Sequence, residues 1–225
     1  MSLRYSMYRI RRNVSHNLVN ARATKDIRQI RLIVFHGKDD IRVERSADLL
    51  YQGLMNVLRK KPLQNVTISD VSKASTVSRA TFYRSFDEVA DILTWRCDRE
   101  FHQMLISFVS SEPDLSKPNV LLLYVLRHWM QVEHIELLEQ LMTNNRLDIL
   151  FNGFMNNTDI PIKYLETQGI HIDTHEHIYF NSLRAGMFMG IINAWITNGK
   201  RETPEEVTDI IYRQFSDIRD ANLML

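Results

Sequence analysis

VSRATFYRSF, residues 77–86, puts two arginines and a tyrosine into the same short stretch as two phenylalanines. A buried helix would not carry Arg79 and Arg84, and a fully solvated one has no use for Phe82 and Phe86. On a helix, side chains four apart share a row. Phe82 and Phe86 then form one row suited to packing, while Arg79 with Tyr83, and Ala80 with Arg84, form neighbouring rows that stay outside. Ser78 stands where an N-cap belongs, and Val77 before it can pack on Phe82 as a hydrophobic staple.

The pattern extends in both directions. Upstream, Thr67 and Asp70 have the spacing of a capping box for a short helix with Ile68 and Val71 facing inward, and Ser75 and Thr76 supply the turn. Before that, Ala47, Leu50, Tyr51, Leu54, Val57 and Leu58 follow the three-four spacing of an amphipathic helix, which RKKP (59–62) ends. Three short helices, the last two joined by a tight turn, make a helix-turn-helix. Downstream, Asp87 can cap a longer helix through Ile92, Leu93, Trp95, Phe101 and Leu105, closed by the loop SEPDLSKP (111–118).

Apolar helical stretches follow at 119–130, 135–154, about 160–168, 174–198 and 204–220. Asp173 with Glu176 and Thr203-Pro204-Glu205-Glu206 read as helix starts, and Gly199 sits where a helix would stop. The expectation is an all-α chain of roughly nine helices. It divides into a basic arm (1–41), a helix-turn-helix domain (42–88) and a helical effector-binding and dimerisation domain (89–225).

Composition agrees with that class. Of 225 residues, 44% are hydrophobic and 24% charged, enough for a core, and seven glycines with five prolines are too few for a turn-rich β protein. No apolar run reaches the ~18 residues of a membrane span, so no membrane partner is expected. The single cysteine, Cys97, cannot form an intramolecular disulfide, which fits a reducing, cytoplasmic setting. Charge is uneven. Residues 1–42 hold ten Lys/Arg against three Asp/Glu, and residues 43–86 seven against three, whereas the remainder holds eleven against twenty-one. A basic front suggests a polyanionic partner.

The side chains of the 77–86 helix suit duplex DNA. Arginine donates twice to guanine O6 and N7, tyrosine reaches a thymine methyl or a phosphate, and a small residue such as Ala80 lets a helix sit deep in the major groove. Hydroxyls at helix starts and flanks suit phosphates. The candidate DNA-binding set is Thr67, Ser69, Ser78, Arg79, Ala80, Thr81, Tyr83, Arg84 and Ser85. In the rear half, Ser182, Gly186, Gly190 and Ala194 recur every four residues, with Met187, Ile191 and Trp195 beside them. Such a smooth row permits close helix approach, within one subunit or between two. HIDTHEH (171–177) offers His171, His175 and His177 as metal ligands, but a cap with a polar first turn explains Asp173 and Glu176 without an ion. No G-x-S-x-G, P-loop or G-x-G-x-x-G is present, so neither an enzyme nor a cofactor is expected.

VTISDVSKASTVSRATFYRSFDEVADIL (66–93) resembles the DNA-binding domain of the TetR/AcrR family of bacterial repressors, in its Thr67 start and its V-S-x-x-T-F-Y-x-x-F run. FNSLRAGMFMGIINAWITNGKRETPEEVTDII (180–211) is similar to the last two helices of the regulatory domain in Firmicutes-type members. The resemblance implies a homodimer that binds operator DNA, with the Ser182–Ala194 row in the dimer-forming helix, paired with the 204–220 helix across a two-fold axis. It also implies a cavity for a small-molecule effector in the middle of the chain, for which Tyr124, Trp129, Phe151 and Met155 are candidate lining. Two positions depart from the family pattern: Thr76 where the turn usually has glycine, and Val89 where a lysine usually meets the DNA backbone. The expected function is a repressor released by its effector. The alternatives are a DNA-binding adaptor or activator that takes a partner protein, and a metal-dependent enzyme using His171, His175 and His177.

Overall fold

The computed structural model describes residues 41–170 and 174–220. The basic arm and the Asp173 cap lie outside them. The described residues form ten α-helices: α1 (Ile41–Leu58), α2 (Ile68–Ser75), α3 (Arg79–Ser85), α4 (Val89–Ser110), α5 (Val120–Trp129), α6 (Val132–Thr143), α7 (Leu147–Asn156), α8 (Asp159–Thr167), α9 (Thr174–Thr197) and α10 (Pro204–Asp220). A 3-10 turn, Leu63–Asn65, links α1 to α2, and no strand occurs among these residues. The all-α class therefore holds. The single stretch expected over 135–154 is two helices, because Asn145 takes a left-handed φ of 55° and Arg146 N–H closes back on the Leu141 carbonyl at 2.7 Å.

Several helix starts form by the local chemistry expected of them. Thr67 accepts from Asp70 N–H at 3.2 Å while the Asp70 carboxylate accepts from Thr67 N–H at 2.8 Å, a closed capping box. Thr203 and Glu206 repeat it before α10, at 3.2 and 2.8 Å. At α4 the cap is Glu88 instead of Asp87: the Asp91 carboxylate accepts from the N–H of both Asp87 and Glu88, at 3.0 and 2.8 Å.

The three front helices close on one another around Leu50, Leu54, Val71, Phe82 and Phe86, all fully buried. The core then runs on without a break. Phe86 packs edge-on against Trp95 of α4, with ring centroids 6.1 Å apart, and α4 continues into the rear bundle, where it packs most closely against α7. Helix α4 thus belongs to both parts. Cys97 lies in this core, fully buried, and burial pushes its thiol well above the usual range, which leaves it unreactive.

Thr76, at the end of α2, adopts φ 60°, ψ 12°. The left-handed region is disfavoured for a β-branched residue, because its side chain crowds the backbone there. Thr76→Gly is therefore expected to raise stability by about 0.5–1 kcal/mol, the relief of strain outweighing the entropy that glycine gives up. Urea unfolding of the two proteins measures it. A Thr76→Gly variant less stable than the parent would show that the turn is unstrained.

Candidate nucleic-acid interface and ligand cavity

Helix α3 is only two turns long and is held at one end by its cap. The Ser78 hydroxyl accepts from Thr81 N–H at 3.1 Å and lies 2.9 Å from the Thr81 hydroxyl. Phe82 and Phe86 anchor the inner face. On the outer face Arg79, Ala80, Tyr83 and Arg84 are all exposed, Tyr83 with about half of its surface (52%) open to solvent. Arg84 is steadied along the helix by donating to Thr81 Oγ1 at 3.0 Å. Thr67 and Ser78 are exposed at the two helix starts, while Ser69 and Thr81 are half-buried.

Ser85 is a correction to the expected set. It is 1% exposed, and among the described residues its hydroxyl has no hydrogen-bond partner. Position 85 lies about 60° around the helix from Phe82, on the packed side, so its side chain points into the core and cannot reach a phosphate.

Besides the contacts through α4, two polar contacts tie the front unit to the rear bundle. Arg59 at the end of α1 makes a two-pronged ion pair with Glu136 of α6, at 2.6 and 2.8 Å. Leu63 N–H donates to Asn144 Oδ1, in the turn between α6 and α7, at 2.7 Å. Both contacts join α6 and the turn after it to the segment between α1 and α2.

In the rear bundle, Gly186, Gly190 and Ala194 are exposed, and a β-carbon built on either glycine would meet nothing within 4 Å. Among the described residues, the smooth row is thus not used for packing inside the protomer. Ser182 is half-buried, its hydroxyl donating to the Ile178 carbonyl at 2.7 Å. Met187 is half-buried, whereas Ile191 and Trp195 face the protomer's own core, with Trp195 Nε1–H donating to the Glu202 carbonyl at 2.9 Å. Beside the row, Ile178, Tyr179, Phe180 and Leu183 of α9 and Ile210, Tyr212 and Phe215 of α10 leave large apolar side chains in the open.

A cavity of about 660 Å³ lies between α5, α7, α9 and α10. Its walls include Leu121, Leu122, Val125, Phe154, Met187 and Phe188, with Arg184 among them. Tyr124, Trp129, Phe151 and Met155 do not line it. Trp129 is fully buried against Phe101 (4.8 Å between centroids), Tyr124 packs edge-on against Phe108 at 5.1 Å, and Phe151 and Met155 are half-buried on α7. Sequence reasoning passed over Arg184, although it is the one formally charged residue from 178 to 199.

Three groups could share an ion. Glu100, His128 and His134, from α4, α5 and α6, place ligand atoms within 4.8 Å of one another, and the two imidazoles stack at 4.2 Å. Glu100 Oε2 lies 3.2 Å from His128 Nε2 and 3.5 Å from His134 Nδ1, while Arg96 pairs with Oε1. With a guanidinium already neutralising the carboxylate, the group is built as a buried charge-balanced cluster that joins three helices. His171 lies outside the described residues, as do the side chains of His175 and His177.

Fold and sites together define an all-α chain with a helix-turn-helix at its front and a ligand-sized cavity at its rear. No helix among the described residues is long and apolar enough to cross a membrane. No protein-family model matches the sequence, and no curated protein does. Among solved structures the chain is similar to the crystal structure of Lin0861 from Listeria innocua, with a TM-score of 0.66 at 17% identity, covering 81% of this chain and 95% of that one. At that identity the likeness concerns the fold.

Proposed function

We propose that the protein is a TetR-like transcription regulator that binds operator DNA as a homodimer and is released from it by a small-molecule effector. The observation that carries this reading is the division of α3. Two fully buried phenylalanines fix the helix, and a contiguous outer face of Arg79, Ala80, Tyr83 and Arg84 is left exposed. An exposed, anchored helix with arginine, tyrosine and a small residue on one face matches the demands of the major groove.

A second copy of the chain accounts for the unfilled row on α9. Backbones can approach closely along Gly186, Gly190 and Ala194, and Ile178, Tyr179 and Ile210, exposed apolar side chains of α9 and α10 that do not line the cavity, would be covered in the same contact. Two-fold pairing supplies two recognition helices for a near-palindromic site. The ion pair Arg59–Glu136 and the bond from Leu63 to Asn144 provide the route by which a change in the rear bundle would alter the placement of α3.

A gel shift on the DNA upstream of the protein's own gene tests the reading, with Arg79→Ala and Arg84→Ala alongside. Wild type is expected to prefer a near-palindromic sequence. Arg79→Ala should relax specificity at one base pair by about 1–3 kcal/mol, and Arg84→Ala should weaken all sites alike and lower the salt slope by about one. Binding without sequence preference at moderate salt would refute the proposal.

A further inference from the structure

We infer that the cavity between α5, α7, α9 and α10 binds an aliphatic monocarboxylate, with its carboxylate on Arg184 and its chain against the apolar wall. The cavity volume, about 660 Å³, lies within the range of small-molecule sites. Among the described residues its lining contains two cationic side chains, Lys117 and Arg184, and no carboxylate. Lys117, in the loop before α5, is mostly exposed and stands 4.0 Å from Asp114. Arg184 is different. It is half-buried, and among the described residues no acceptor or carboxylate pairs with it.

Aromatic rings support its guanidinium without neutralising it. The guanidinium carbon lies 5.8 Å from the Phe154 centroid and 5.7 Å from that of Phe180, so a ring from α7 and one from its own helix hold it in place. Burial holds this guanidinium below the usual arginine range, with no opposing charge to raise it again. A guanidinium beside two aromatic rings in the wall of an apolar cavity is suited to donating two parallel hydrogen bonds to a carboxylate. One unpaired positive charge balances one carboxylate. A phosphate monoester, carrying nearly two negative charges, would leave charge uncompensated against Leu121, Leu122 and Val125. The rest of the wall offers the ligand mainly hydrocarbon and aromatic surface.

The site also reaches the front of the molecule. Phe154 lies on α7, whose preceding turn holds Asn144 against Leu63. A ligand that draws Arg184 and Phe154 together would move α7, the helix that starts just after this contact. In this respect the inference rests on the regulator reading, but binding itself does not depend on it.

Calorimetric titration of the full chain with decanoate, 1-decanol and decyl phosphate tests the assignment. Decanoate is expected to bind saturably at one per chain and to raise the melting temperature. Decanol, which lacks the charge, and decyl phosphate should bind at least about tenfold more weakly. Arg184→Gln should lose the preference for decanoate by about tenfold or more, while melting without ligand at or above the wild-type temperature, since an uncompensated cation is removed. Arg184→Lys should keep part of the preference. Equal affinity of wild type and Arg184→Gln for decanoate, equal affinity of wild type for decanol, or no saturable binding would each overturn the proposal. So would a change of oligomeric state in Arg184→Gln without a change in decanoate affinity, which would make the cavity part of a contact between copies. A parallel gel shift keeps the two readings apart. Decanoate binding without release of DNA leaves the site standing and removes its role as effector, whereas a protein that never binds DNA but binds decanoate through Arg184 refutes only the regulator reading.

Discussion

Gly53→Ala is expected to cost about 3 kcal/mol, at the upper end for an added methyl in a packed contact, and, on the regulator reading proposed above, to remove sequence-specific DNA binding with it. A β-carbon at position 53 would sit 2.6 Å from Ser75 Cβ, 2.7 Å from Ser75 N and 2.9 Å from Ser75 Cα. Two of these are backbone atoms in the last turn of α2, so no flexible side chain can yield. Helices α1 and α2 would have to separate along their closest contact. The same turn leads into the left-handed Thr76 and then to the Ser78 cap, so separation displaces α3 as well. Thermal unfolding should register a fall of roughly 6–12 °C for a chain of this size. A melting temperature within about 2 °C of wild type, with DNA affinity unchanged, would mean that the α1–α2 contact is looser than the structure has it.

What could be read from the sequence separates by range. The Thr67–Asp70 box, the Ser78 cap and the Thr203–Glu206 box are decided within four residues, and each forms as expected. The Phe82–Phe86 row is nearly as local. Ser85 misleads because residue type suggested exposure while its angular position, close to Phe82, placed it inside. The break at Asn144-Asn145 has a local cue, since asparagine tolerates left-handed backbone, but apolar periodicity on both sides overrode it. The smooth row on α9 was legible as a pattern. Whether it faced the protomer or open space depends on what α7 and α10 cover, which no local signal carries. Arg184 had a cue in its isolation among apolar neighbours. The partners that give it meaning, Phe154 on α7 and the walls from α5 and α10, are set only by tertiary packing.

The Glu100 cluster lies furthest from any sequence signal, since its members come from three helices, and it carries the second large effect. Glu100→Ala is expected to destabilise the protein by about 3 kcal/mol near neutral pH, the lower end for stripping one partner from a buried ion pair. The lower end applies because Arg96 keeps a second carboxylate, Asp48, at 3.5 Å, and rests over the Tyr51 ring. The pH dependence follows from two depressed groups. Burial pushes the Glu100 carboxyl upward, but the His128 hydrogen bond and the charges of Arg96, His134 and His128 outweigh it and hold the group below its usual range. His134 is held low by burial and then by His128 and Arg96, against the upward pull of Glu100 and Glu133. In both cases the unfolded chain binds protons more readily than the folded one, so both stabilise the protein at neutral pH and lose that contribution on acidification. Melting temperature should fall first below about pH 6.5, as the His134 contribution goes, and again below about pH 4.5, as Glu100 does. In Glu100→Gln the lower step should shrink but not vanish, because Asp70, Glu136 and Asp148 also have carboxyls held below their usual range by their ion pairs and hydrogen bonds. The upper one should deepen, because the carboxylate that favours a charged His134 is gone. A Glu100→Gln profile with a shallower upper step than wild type would show that Glu100 does not govern the imidazole pair.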